Sequence, residues 1–61
     1  MKRQEFMAWL HEHGCVLVRE GARHSWYGNP SENKRSSIPR HKEINDLLVI
    51  KICKDLGIPR P

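Results

Sequence analysis

Bulky residues near the start of the chain fall on one stripe. Phe6, Trp9, Leu10 and His13 stand at i, i+3, i+4 and i+7, the spacing that a 3.6-residue period gathers on one side of a helix. A helix over residues 3–13 is predicted, with Trp9 on its core side. Glu5 suits the first turn, where the helix dipole favours an acid, and Gly14 stands where helices commonly stop in left-handed backbone. From Cys15 to Arg19 the chain is rich in β-formers, and Gly21 follows as a turn signal. Val16 and Val18 share one face of that strand, Cys15 and Leu17 the other. Both faces are apolar, so the pattern leaves open which one meets the core. A second strand, Arg23 to Tyr27, alternates His24 and Trp26 against Arg23, Ser25 and Tyr27. The run Gly28-Asn29-Pro30-Ser31-Glu32-Asn33 reads as a loop. Lys34 to Ile38 forms a third strand, ended by Pro39.

The second helix runs from Asn45 to Leu56. Ile44, Leu48, Ile52 and Leu56 make one row, and Leu47, Val49 and Cys53 widen it. Asn45 is a good N-cap, Lys51 and Lys54 suit the C-terminal half, and Gly57 followed by Pro59 ends the helix. The order α-β-β-β-α implies an α+β fold: a three-stranded antiparallel sheet with both helices on one face. The other face is left to solvent or to a ligand.

With 61 residues the chain makes a single domain, residues 1–61. A domain of this size buries only about 60% of the surface that its unfolded form exposes. Little stability is left over, so a partner that binds the folded state adds usefully to it. Eleven Lys and Arg against seven Asp and Glu give a formal charge of +4, which favours polyanions or an acidic protein partner. Solubilising charge is the plainer explanation, but the positions argue for a surface: Lys34, Arg35, Arg40, His41 and Lys42 cluster, and Arg19 and Arg23 flank the glycine turn. Cys15 and Cys53 lie in apolar runs and read as buried free thiols rather than a secreted disulfide framework. His11, His13 and Cys15 are close in sequence but point to different sides, with no Cys-x-x-Cys beside them, so no metal site is expected and no cofactor. The charged start has no apolar h-region behind it, and no apolar run approaches about 18 residues. The expectation is a soluble cytoplasmic protein without a membrane partner.

The candidate chemistry lies at Gly21-Ala22-Arg23-His24, a glycine turn that delivers a histidine into Ser25-Trp26-Tyr27. An imidazole among cations and aromatics is suited to proton transfer beside a bound phosphate. Several segments in order resemble HicA-type toxins of toxin–antitoxin modules: Met1-Lys2…Glu5-Phe6…Trp9-Leu10…Gly14, the Gly21-x-x-His24 turn, Arg35-Ser36…Pro39-Arg40-His41, and Glu43-Ile44…Leu48…Ile52-x-Lys54-x-Leu56-Gly57-Ile58. The resemblance runs from about residue 1 to 58. It implies a fold like that of a double-stranded-RNA-binding domain, ribonuclease activity on mRNA, and neutralisation by a HicB antitoxin. The family's active histidine follows Gly-Ser-x-His, which falls here on Gly21, Ala22, Arg23 and His24. Ala22 departs from the usual hydroxyl residue, and a weaker activity is expected if that hydroxyl orients phosphate or the imidazole.

Cutting RNA without metal requires taking the proton from the 2′-hydroxyl, stabilising a dianionic phosphorane, and protonating the departing 5′-oxygen. A histidine titrates near about 6.5 in free solution and can perform either transfer, worth roughly 10² to 10⁴-fold. His24 is therefore the candidate general base or acid. Arg23, Lys34, Arg35 and Arg40 are candidate phosphate ligands, with His41 a further RNA-binding candidate. The second proton role falls to His41, Tyr27 or water. Each residue also has a plainer role open to it, His24 as a surface or half-buried imidazole and His41 as a hydrogen-bonding turn residue. Trp26 and Tyr27 could stack on unpaired bases, but only one can face a given side. Single-stranded mRNA suits so short a domain better than duplex RNA. The alternatives of another class are a non-catalytic RNA-binding module of the same fold, or a basic face that serves protein association.

Overall fold

Helix α1 spans Arg3–Glu12, one residue short of the expected end. His13 leaves helical backbone at φ −99°, and Gly14 takes φ +80°, the left-handed conformation that glycine adopts without a side-chain clash. The computed structural model describes residues 1–61, and the remaining elements are β1 (Val16–Glu20), β2 (His24–Asn29), β3 (Lys34–Pro39) and α2 (Asp46–Leu56). The strands pair antiparallel in the order β1-β2-β3. The α-β-β-β-α architecture is that of a double-stranded-RNA-binding-like α+β fold.

Strand β2 is longer than its composition suggests. Gly28 and Asn29 continue the ladder opposite Arg35 and Lys34, so the loop shrinks to Pro30–Asn33 and turns on Asn33 at φ 54°. Pro39 is the last residue of β3 and pairs with His24. Proline is tolerated there because β3 is an edge strand.

The core lies between the helices and one side of the sheet. It joins Phe6 and Leu10 of α1, Val49, Ile52, Cys53 and Leu56 of α2, Ile38 of β3, and Cys15 and Ile44 from the connections. Trp9 packs against its edge, donating Nε1–H to the Pro59 carbonyl at 2.8 Å. Helix α2 lies over β3, and every residue of β1 is exposed. The question of which β1 face meets the core is thus answered by neither, Cys15 just before the strand being the residue that is buried. Leu47, expected to widen the apolar face of α2, is 77% exposed, because the row set by Val49, Ile52 and Leu56 turns it outward.

Asn45 caps α2 by accepting the Leu47 N–H at 2.8 Å, and Gly57 ends the helix at φ 70°. The buried Asn29 side chain donates from Nδ2 to the Leu56 carbonyl at 2.8 Å, tying the end of β2 to the end of α2. Backbone bonds from Arg3 N–H to Lys42 O and from Ile44 N–H to Met1 O, both 2.8 Å, hold the start of α1 against the segment before α2. Cys15 and Cys53 are free, and burial pushes both thiols up from their ordinary range. No helix is long and apolar enough to cross a membrane.

Candidate active site

The turn between β1 and β2 presents the candidate histidine. The Gly21 N–H donates to the His24 carbonyl at 2.8 Å, which leaves Ala22 and Arg23 as an exposed two-residue loop. His24 opens β2. Alternation places it with Trp26 and Gly28 on the uncovered side of the sheet, while Ser25, Tyr27 and Asn29 face the helices. The burial pattern agrees: His24 and Trp26 are exposed, Ser25 and Asn29 buried, and Tyr27 packs against the core. Tyr27 therefore cannot share the uncovered side with His24 as a second proton carrier.

Three elements pin this turn. Ser25 donates its hydroxyl proton to Glu20 Oε1 at 2.5 Å, and Arg3 of α1 donates from Nη2 to Ser25 Oγ and from Nε to the Pro39 carbonyl, each at 3.1 Å. Arg40, just past β3, pairs its Nη2 with Glu20 at 3.2 Å and also donates to the Gly21 carbonyl. The Ser25 hydrogen bond, aided by Arg40 and by the charge of Arg3, holds the Glu20 carboxyl below its usual range. Sequence reasoning missed Arg3, Glu20 and Ser25. The Glu20–Ser25 pairing was readable, since a two-residue loop at 22–23 sets Gly21 opposite His24 and hence Glu20 opposite Ser25. Arg3 left no local signal, its partners being 22 and 36 residues away.

The cationic cluster expected over 34–42 is divided. Pairing of His24 with Pro39 brings Arg40 and His41 to the His24 end of the sheet. Lys34 and Arg35 open β3, about 17 and about 13 Å from Pro39 at the strand's rise per residue. Lys34 turns to the helix side, where its Nζ lies 3.3 Å from the position a β carbon would take on Gly57. An ammonium there complements the C-terminal end of α2, so Lys34 does not belong with the residues around His24. Arg35 stays on the uncovered side, with Val18, Arg19 and Trp26 around a cleft of about 320 Å³. Both contacts of Arg40 use Nη2, leaving its other donors for a ligand. The largest cavity, about 560 Å³, adjoins Arg40 and is lined by Lys2, Arg3 and Lys42, with Glu43 its one carboxylate. No three His, Cys, Asp or Glu side chains converge as metal ligands.

The arrangement offers an uncovered imidazole on a turn that Arg3, Glu20 and Arg40 pin from the helix side, with Arg23 next to it in the exposed loop. The family model described as HicA toxin of bacterial toxin-antitoxin matches residues 3–58. The chain belongs to the HicA toxin family. It is the toxin component of a toxin–antitoxin module, with an antitoxin as its implied partner. The matched span takes in both helices, all three strands and the His24 turn of this HicA protein. Comparison with curated proteins and with solved structures gives no match.

Proposed function

We propose that this HicA toxin is a metal-independent endoribonuclease acting on mRNA, with His24 as its catalytic histidine. The observation that carries the reading is the exposed His24 ring on the uncovered sheet face, set on a turn that Arg3, Glu20 and Arg40 hold. In the reaction the 2′-oxygen loses its proton, attacks the adjacent phosphorus, and displaces the 5′-oxygen, which takes up a proton. The products are a 2′,3′-cyclic phosphate and a 5′-hydroxyl. His24 serves as general base or general acid, and His41, at the same end of the sheet, is the candidate for the other transfer. Arg23 and Arg40 stabilise the charge that builds on the phosphorane. Arg35 holds the chain farther along the face. A HicB-like antitoxin would cover this surface, and an acidic, shape-matched one would also associate fast.

His24→Ala tests the assignment. The ring is exposed, so the variant keeps its fold by circular dichroism, while RNA cleavage falls by about 10² to 10⁴-fold and growth arrest on expression ends. Cleavage by the wild-type chain survives EDTA, and a substrate lacking the 2′-hydroxyl resists. A folded Ala variant that cuts at full rate removes His24 from the mechanism. RNA bound without any fragment turns the reading to a non-catalytic binding module.

A further inference from the structure

Trp26 is the largest side chain on the central strand, yet it contributes nothing to the core. It stands 37% exposed on the uncovered side. Its neighbour across β3 is Ser37, too small to cover an indole, and across β1 it faces Arg19 at an irregularity between Leu17 and Arg19. Val18, Arg19 and Arg35 line the cleft around it. Val16 and Val18 of β1 are exposed on the same side, at 49% and 44%, so the face carries an apolar patch rather than a lone side chain, and such a patch marks a binding surface. The ionisable residues that register places on this face are Arg19, His24 and Arg35. All seven acidic residues of the chain stand elsewhere: Glu5 and Glu12 on α1, Glu32 in a loop, Glu43, Asp46 and Asp55 on or before α2, and Glu20 turned into the Ser25 network.

We infer that Trp26, flanked by Arg19 and Arg35, is a stacking seat for an unpaired RNA base of the nucleotide next to the phosphate at His24. The inference rests on the nuclease reading of His24. An indole offers its face to any base, but only to one free of its own helical stack. Guanidinium groups on either side suit the flanking phosphates and can also lie against the base plane. Trp26 follows His24 by two residues on one face, about 7 Å along the strand, so the seated base neighbours the bond that is cut. The seat selects single strands. Duplex binding of this fold type spans about 16 base pairs across successive minor grooves, whereas the longest extent of this molecule is 27 Å.

The test uses the full chain and a short, end-labelled, single-stranded RNA with 2′-O-methyl groups throughout, which cannot be cut. Binding is read by fluorescence anisotropy at low salt. Trp26→Ala should weaken binding about 5- to 150-fold, the range that loss of one stacked base gives, and Trp26→Phe should stay within about threefold of wild type. The same sequence as a duplex should bind as poorly as the Ala variant binds the single strand. Equal affinity of wild type and Trp26→Ala overturns the seat, as do equal losses in the Ala and Phe variants or equal affinity for duplex. Unmodified RNA run alongside separates the two readings. Cleavage without dependence on Trp26 ends the stacking seat and leaves the nuclease, whereas Trp26-dependent binding without cleavage ends the nuclease and leaves the seat. If no RNA binds and only an antitoxin chain does, the face is a protein surface and the inference fails.

Discussion

Arg40 reaches from the end of β3 to Glu20 at the end of β1, 3.2 Å from Nη2 to Oε1, and the same nitrogen donates to the Gly21 carbonyl. One guanidinium therefore closes over the turn that presents His24. Lysine could keep the charge but not the planar guanidinium that fixes the directions of both N–H bonds on that nitrogen. Arg40→Lys should retain the fold and much of the affinity for RNA while lowering the cleavage rate by about 10- to 100-fold, the penalty for a misplaced reacting group. Cleavage kinetics beside a thermal melt would show it. A Lys variant with the full wild-type rate would mean that the turn needs no such clamp.

Acid should loosen the same turn. The Glu20 carboxyl is held below its ordinary 4.5, chiefly by the Ser25 hydroxyl, and Asp55 is held below 3.8, chiefly by Lys51 with help from Ser36. Both groups have depressed values in the folded state, so each contributes stability above its unfolded value and loses it as pH falls through the folded one. The melting temperature should decline once pH drops below about 4.5, the ordinary value for Glu20. Glu20→Gln together with Asp55→Asn should make that decline shallower. An unchanged slope in the double variant would place the acid sensitivity elsewhere.

What could be read in the sequence was what short-range geometry controls. The Asn45 cap, the Gly57 stop and the His24 turn each depend on residues within a few positions of one another, and each stands where the pattern put it. Lys34, Arg35 and Arg40 looked like one cluster because they are close along the chain. An extended strand between them separates the two ends and turns Lys34 to the opposite side. Gly28 and Asn29 looked like loop residues by composition, but their ladder partners Arg35 and Lys34 decide their state, and tertiary pairing overrides propensity. Leu47 failed for a related reason. A helix with apolar residues nearly all round does not say which part of its circumference the sheet will cover.

Asn29 is a buried polar residue on the helix side of the sheet. Its Nδ2 serves the Leu56 carbonyl at the end of α2, and its Oδ1 is buried without a partner. Asn29→Asp would set a carboxylate against that carbonyl, at the negative end of the helix dipole, in a buried position. Burial and the dipole both raise the folded-state value above the unfolded one of about 3.9. The variant is then most stable in acid, with its proton bonded to Leu56, and weakens as pH rises through the folded value. Loss of about 2–3 kcal/mol at neutral pH is expected. Urea melts at two pH values would show a trend opposite in sign to that of the wild type.

Gly28 is where the uncovered face is tightest. A β carbon there would stand 2.9 Å from Val18 Cγ2, closer than packed carbons come. Valine is stiff at χ1, so the methyl cannot swing aside and the β1 backbone beside the irregularity at Leu17–Arg19 must give way. Gly28→Ala should cost about 1–3 kcal/mol, the usual range for forcing a methylene-sized group into a filled space. Val18→Ala removes the obstructing methyl and should return most of that loss in the double variant, which a cycle of four denaturant melts would measure as a coupling energy. Because Val18 also lines the cleft beside Trp26, the displacement should reach RNA affinity as well, weakening it in Gly28→Ala and restoring it in the pair. Additive losses would show that the two side chains do not meet, and that the irregularity in β1 is set by something other than the missing side chain at Gly28.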